Sequence, residues 1–101
     1  MRWYTIVSYY KYYIEFNFFT ASTLNQFDLH NNKMVPNYDD LILTGQSVDD
    51  CSSACVTEES FQCNSFEYDY NSGTCYLSHL HPDETPKLIV NQNGFDLYIR
   101  M

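Results

Sequence analysis

Basic side chains are scarce. Five Lys and Arg stand against thirteen Asp and Glu in 101 residues, a net charge of -8. A surface this acidic repels phosphate backbones instead of releasing counterions from them, which excludes nucleic acid as a partner and argues equally against an anionic membrane surface. No apolar run reaches the roughly 18 residues that a membrane-spanning helix needs, so membrane insertion is excluded too. No Asn-x-Ser/Thr acceptor is present, so glycosylation offers no independent sign of secretion. No cysteine lies before Cys51 or after Cys75. What the chain does have is four cysteines between those limits and eighteen aromatics, ten of them tyrosine. There is room for one small domain, and below roughly 70–80 residues such domains seldom hold a core without a covalent or metal staple. The cysteines are candidates for that staple.

The charge and the aromatics divide the chain at the same place. Arg2 and Lys11 against Glu15 leave residues 1–26 at +1, so residues 27–101 carry three basic and twelve acidic groups, a net of -9. Nine of the eighteen aromatics fall between Trp3 and Phe19. Within that run Ile14-Glu15-Phe16-Asn17-Phe18 alternates as a half-buried strand does. A signal peptide is the alternative, with Arg2 as its charged start and Thr20-Ala21-Ser22 as its cleavage zone, but Lys11 and Glu15 interrupt the apolar stretch it requires. Residues 1–26 are therefore read as an aromatic-rich leader, signal-like segment or extra strand, ahead of a compact domain over 27–101.

In that domain, Phe27-Asp28-Leu29 starts a strand, Asn31-Asn32-Lys33 has turn chemistry, and Met34-Val35-Pro36-Asn37 ends in a second break. Leu41-Ile42-Leu43 is a short apolar strand closed by Gly45. Ser47-Val48-Asp49-Asp50 then combines an N-cap serine, an acid three residues later and two aspartates in the first turn, which predicts a helix from Ser47 that fades near Thr57 to Ser60. On it Val48, Cys51 and Cys55 share one face, the one to be buried. Residues 63–79 read as a hairpin. Phe66, Tyr68 and Tyr70 alternate with Ser65, Glu67 and Asp69, Asn71-Ser72-Gly73 turns the chain, and Thr74 to Leu77 returns, giving one aromatic and one polar face. With Tyr70 facing Thr74, Cys63 falls opposite His81. A polar loop follows from His79 to Pro86, then the apolar run Leu88-Ile89-Val90, a turn over Asn91 to Gly94 and a last strand in which Phe95, Leu97 and Ile99 alternate with Asp96, Tyr98 and Arg100. Strands, one helix and strands make an α+β fold, a small antiparallel sheet with the helix packed on it.

Cys51 bonded to Cys55 would join successive turns of one helix, an awkward geometry that constrains little chain. The short connection from the helix to Cys63 favours Cys55 with Cys63 and Cys51 with Cys75. Two such bonds place the protein in an oxidising compartment. The rival reading is a zinc site from Cys51, Cys55, His79 and His81, ligand types that zinc prefers. Against it, His79-x-His81 on an extended segment sends its two rings to opposite faces, and two cysteines are left over.

Cys51-x3-Cys55 on a helix, the strand opening Cys63-Asn64-Ser65-Phe66-Glu67-Tyr68 and the return strand Cys75-Tyr76-Leu77-Ser78 together resemble the PAN/Apple domain. The resemblance covers most of residues 27–101, from Phe27 as the opening strand to Phe95-Asp96-Leu97-Tyr98 as the closing one. It implies one helix held across a small antiparallel sheet by two disulfides, Cys51 with Cys75 and Cys55 with Cys63 nested inside. Apple domains proper carry a third bridge between their termini, so this chain resembles the simpler four-cysteine PAN form.

The resemblance further implies a non-catalytic, secreted or matrix module that binds a protein or a glycan. Heparin binding, a property of some members, needs a basic cluster, and Lys33, Lys87 and Arg100 alone do not make one. No catalytic site, metal or cofactor is expected. Ser78, His79, His81, Asp83 and Glu84 sit in one short loop with nothing to orient a base. The pairs Asp39-Asp40, Asp49-Asp50 and Glu58-Glu59 lack the alternating ligand loop of a calcium site. Tyr68, Tyr70, Tyr76 and Tyr98 read as core. The loops Asn31 to Asp40 and His79 to Pro86 are the expected contact regions, since loops on a stapled scaffold carry function. A purely structural spacer is the remaining alternative.

Overall fold

The computed structural model describes residues 22–101. The strand and signal-peptide readings of the aromatic N-terminal run lie outside the described residues.

The helix begins where the sequence chemistry demands. The Ser47 hydroxyl accepts from Asp50 N–H at 3.1 Å and the Asp50 carboxylate accepts from Ser47 N–H at 3.2 Å, a closed capping box that satisfies two donors no helical carbonyl can reach. Helix α1 runs from Val48 to Thr57. Ahead of it, Gln46 N–H donates to the Gly73 carbonyl and Tyr68 Oη to the Gln46 carbonyl, so the helix start is tied to the hairpin beneath it.

Five strands form one antiparallel sheet: β1 (Phe27–Met34), β2 (Leu41–Leu43), β3 (Ser65–Asp69), β4 (Thr74–Ser78) and β5 (Val90–Arg100), in the order β1-β5-β3-β4-β2. α1 lies across one face of it. Phe66 and Tyr68 of β3, Cys75 and Leu77 of β4, Tyr98 of β5 and Phe27 of β1 form the core beneath the helix cysteines. Phe66 stacks on Tyr98 with ring centroids 4.7 Å apart and meets Phe27 edge-on at 5.0 Å. Such pairs add roughly 0.5–1.5 kcal/mol each beyond the area they bury. Cys51 is bonded to Cys75 and Cys55 to Cys63, with Cα atoms 5.7 and 5.2 Å apart. Ahead of Phe27, a single 3-10 turn over Thr23–Gln26 packs on α1, where Thr23 Oγ1 lies 2.6 Å from Ser52 Oγ.

Several local expectations are corrected. The hairpin pairs Asp69, not Tyr70, with Thr74, so its loop has four residues and Ser78 faces Ser65. An Asx-type lock sets this register: Asp69 accepts from Asn71 N–H at 2.9 Å and Ser72 Oγ at 2.8 Å. The turn signals Asn31-Asn32-Lys33 and Asn91 to Gly94 do not end strands. They fall within β1 and β5, where Asn31 pairs with Asp96 but Lys33 pairs with Asn91, and the surplus residues bulge out. Asn32 (φ 56°) and Gly94 (φ 86°) take up the left-handed backbone this requires. The run Leu88-Ile89-Val90 contributes only Val90 to a strand, because Pro86 starts a 3-10 turn that ends at Leu88.

The polar face of the hairpin is also not open to water. Val35, Leu97 and Ile99 pack there with Leu80, Leu88 and Ile89, a second small core roofed by the segments after β1 and β4. Glu67 is caught under that roof at 3 % exposure, level with Tyr76 and Leu97, and accepts from Val35 N–H at 3.0 Å. Burial pushes its pKa up to about 7; the Val35 bond opposes this and the Asp39 charge adds to it.

Two measurements test these assignments. Ser47→Ala opens the capping box and is expected to lower stability to urea by about 1 kcal/mol. For Glu67, a folded-state pKa above the ordinary 4.5 means that its stabilisation is complete below pH 4.5 and is lost as pH rises through 7. That loss amounts to about 3 kcal/mol at 1.36 kcal/mol per unit. Glu67→Gln keeps an acceptor for Val35 and is expected to abolish the loss, so the variant gains on the wild type between pH 4.5 and pH 8. A stability difference independent of pH would show that Glu67 is not held neutral.

Candidate functional site

The two loops expected to make contacts are joined in the structure. Asp40, at the end of the segment after β1, accepts from His79 N–H at 2.7 Å and meets His79 Nδ1 at 2.6 Å, while Asp40 N–H donates to the Leu77 carbonyl. Asp40 is slightly desolvated, which opposes ionisation, but the two His79 bonds and the His79 charge outweigh this and hold the carboxyl below its ordinary pKa. Its neighbour Asp39 moves the other way, raised by burial and by the Asp40 charge. The result is an acidic strap over the second core, beside exposed Tyr38 and, on the edge strand β2, exposed Ile42.

The notional catalytic residues are not brought together. Ser78 is buried, with its hydroxyl accepting from Leu80 N–H at 3.0 Å, so it faces no substrate. His79 is spent on Asp40, and His81 Nε2 lies 3.0 Å from the Arg100 carbonyl. Asp83 and Glu84 occupy a separate 3-10 turn whose Pro82 is buried. The loop is part cover and part surface: Pro82 is buried and Leu80 and His81 are half-buried, while His79, Asp83, Glu84 and Pro86 are exposed. The zinc alternative is corrected on the same grounds: Cys51 and Cys55 are both in disulfides and carry no thiolate for a metal. Among the described residues no group of three or more His, Cys, Asp or Glu side chains is arranged to hold a metal ion.

Each acidic pair has local employment. Asp50 closes the capping box and Asp49 accepts from Ser22 Oγ at 2.7 Å, both at the positive end of α1. Glu58 accepts from Ser60 Oγ and N–H, which lowers its pKa. The tyrosines separate by position on the sheet. Tyr68 and Tyr98 are core, Tyr76 is half-buried against Phe95 with centroids 6.0 Å apart, and Tyr70, expected in the core, is 53 % exposed at the hairpin turn. Its ring leans edge-on against Tyr68 and its hydroxyl lies 3.3 Å from that of Tyr98. Partial burial and the Tyr98 and Asp96 groups raise the Tyr70 pKa. Sequence reasoning missed the buried Glu67, because strand alternation assigned it to a wet face. The lone hint was an acid flanked by Phe66 and Tyr68.

Of the three cations in residues 27–101, two make hydrogen bonds to neutral groups and Lys87 is exposed. Lys33 Nζ donates to Asn91 Oδ1, and Arg100 Nη1 donates to the Cys63 carbonyl at 3.0 Å. No helix among the described residues is long and apolar enough to cross a membrane.

Comparison with curated proteins gives no match to the chain. The family model described as PAN domain matches residues 21–100. That span takes in the 3-10 turn on α1, all five strands, the helix and both disulfides, and the chain belongs to the PAN domain family.

Proposed function

We propose that this protein is a non-catalytic extracellular binding module that recognises a protein or a glycan by surface complementarity, either alone or as part of a larger secreted or matrix protein. PAN domains are typically binding modules of this kind. The observation that carries the reading is the pair of disulfides at the joint between α1 and the sheet, with no free cysteine among the described residues. Such bonds form and persist in oxidising compartments, and they hold a small scaffold rigid while its loops stay free to vary. Rigid loops lose little entropy on binding, which suits a module with no deep chemistry to perform. Three cations against twelve acids over residues 27–101 make no basic surface for a sulfated polymer, so heparin is not the ligand proposed.

Two results are expected. Intact mass and non-reducing peptide mapping of protein from its native source give four oxidised cysteines joined 51–75 and 55–63, and the oxidised protein binds saturably to at least one target on arrays of secreted proteins and glycans. Four alkylatable thiols in unreduced protein, or a Cys51–Cys55 bond, would overturn the reading. Binding to neither array would favour the structural spacer instead.

A further inference from the structure

The bulges of β1 and β5 and the β3–β4 hairpin turn meet at one end of the sheet, and their chemistry is concentrated there. Asn31 and Asn32 of β1, Asn93 of β5 and Asn71 of the turn are all exposed, and Asp96 and Tyr70 lie among them. The backbone links are direct. Asp96 Oδ1 accepts from Asn32 N–H at 3.0 Å and is 3.4 Å from Asn31 Nδ2, while Tyr70 N–H donates to the Gly94 carbonyl at 3.0 Å. A Cβ added at Gly94 would lie 3.2 Å from Asn71 Nδ2, which is how closely the turn and the bulge approach. This is the part of the helix-side surface that α1 leaves bare, since the helix packs on β3 and β4.

We propose that this end of the sheet, Asn31, Asn32, Tyr70, Asn71, Asn93 and Asp96, is a binding site for an uncharged saccharide. The inference rests on the binding-module reading above and names its site and ligand class. A carboxamide offers a donor and an acceptor side by side, and a carboxylate two acceptors, so both match a pair of neighbouring sugar hydroxyls, each of which donates and accepts. The half-exposed Tyr70 ring supplies a rigid apolar face for the C–H side of a pyranose, and it is fixed in place by Tyr68 and by Tyr98. Charge selects against sulfated and other anionic sugars. Lys33 donates to the neutral Asn91 amide and keeps its charge, but it is a single cation beside the negative potential of Asp96 in a domain of net charge -9. The acidic strap at Tyr38 to Ile42 lacks this donor and acceptor mix, and it lies at the opposite, β2 side of the sheet.

The test is a titration of isotope-labelled, oxidised protein with galactose, mannose, N-acetylglucosamine and N-acetylgalactosamine, their short oligosaccharides and a heparin tetrasaccharide, followed by amide chemical shifts. Neutral sugars are expected to move the amides of 31–33, 70–71 and 93–96, with heparin inert. Tyr70→Ala and, separately, Asn93→Ala are expected to weaken binding roughly tenfold, while Tyr70→Phe retains most of it. Asn93 is on the surface, so its variant keeps the comparison sound if loss of Tyr70 disturbs the hairpin. Shifts confined to 38–42 and 79–86, a preference for heparin, or no response to any neutral sugar would overturn the site. A saturable protein target with no sugar response would do so while leaving the binding-module reading intact, and failure of both would remove both.

Discussion

The attachment of one ten-residue helix to the sheet is the constraint on which the rest of this structure depends. A helix this short is marginal in water, and its buried face carries two cysteines and a serine in place of large aliphatics. Hydrophobic contact alone would hold it weakly. The disulfides close loops of 24 and 8 residues, and such closures restrict the unfolded chain by about 3.5 and about 2.5 kcal/mol. With α1 fixed, the rings of Phe66, Tyr68 and Tyr98 have a lid, and the aromatic core becomes dry. The capping box and the Tyr68 bond to Gln46 then set where along the sheet the helix begins.

The second constraint replaces a bridge that this chain lacks. With no cysteine outside Cys51 to Cys75, the two ends of the fold are held by pairing: Phe27 lies opposite Arg100 along β1 and β5, and Met101 N–H donates to the Gln26 carbonyl. Eight- and eleven-residue strands give that pairing its length. The mismatch between them is absorbed in the bulges at Asn32 and Gly94, which is why the polar, turn-like residues gather at one rim of the sheet. A feature that reads locally as strand termination is, in the assembled sheet, a concentration of amides around an aromatic ring.

The face away from the helix follows a different logic. It is covered by chain segments that pass over it, with Val35, Leu80, Leu88 and Ile89 closing on Leu97 and Ile99. The Asp40–His79 contact ties the two covering segments to one another. Glu67 is the cost of this arrangement, a carboxyl sealed under the cover with a single backbone donor and an aspartate for company. The candidate contact loops are thus part of the second core and share its stability, so a change in one segment is felt in the other.

Local chemistry was enough to determine much of this protein. Ser47 with Asp50 set the helix start, the alternation of Phe66 and Tyr68 set a strand, and the cysteine spacing with Cys-Asn-Ser-Phe and Cys-Tyr-Leu-Ser pointed to the family. These signals are legible because each depends on residues within one or two turns or strand steps of each other. What the tertiary structure alone decided depends on residues far apart in sequence. Whether Asn91 to Gly94 turns the chain or bulges inside a strand is set by β1 sixty residues earlier, which supplies hydrogen bonds on both sides of it. Whether Glu67 faces water is set by what crosses above it, which alternation along β3 cannot encode. Tyr70 lies outside the core because the four-residue turn places it beyond the last paired residue, Asp69. Sequence patterns assign a side chain to a face; only the packed molecule decides whether that face is wet.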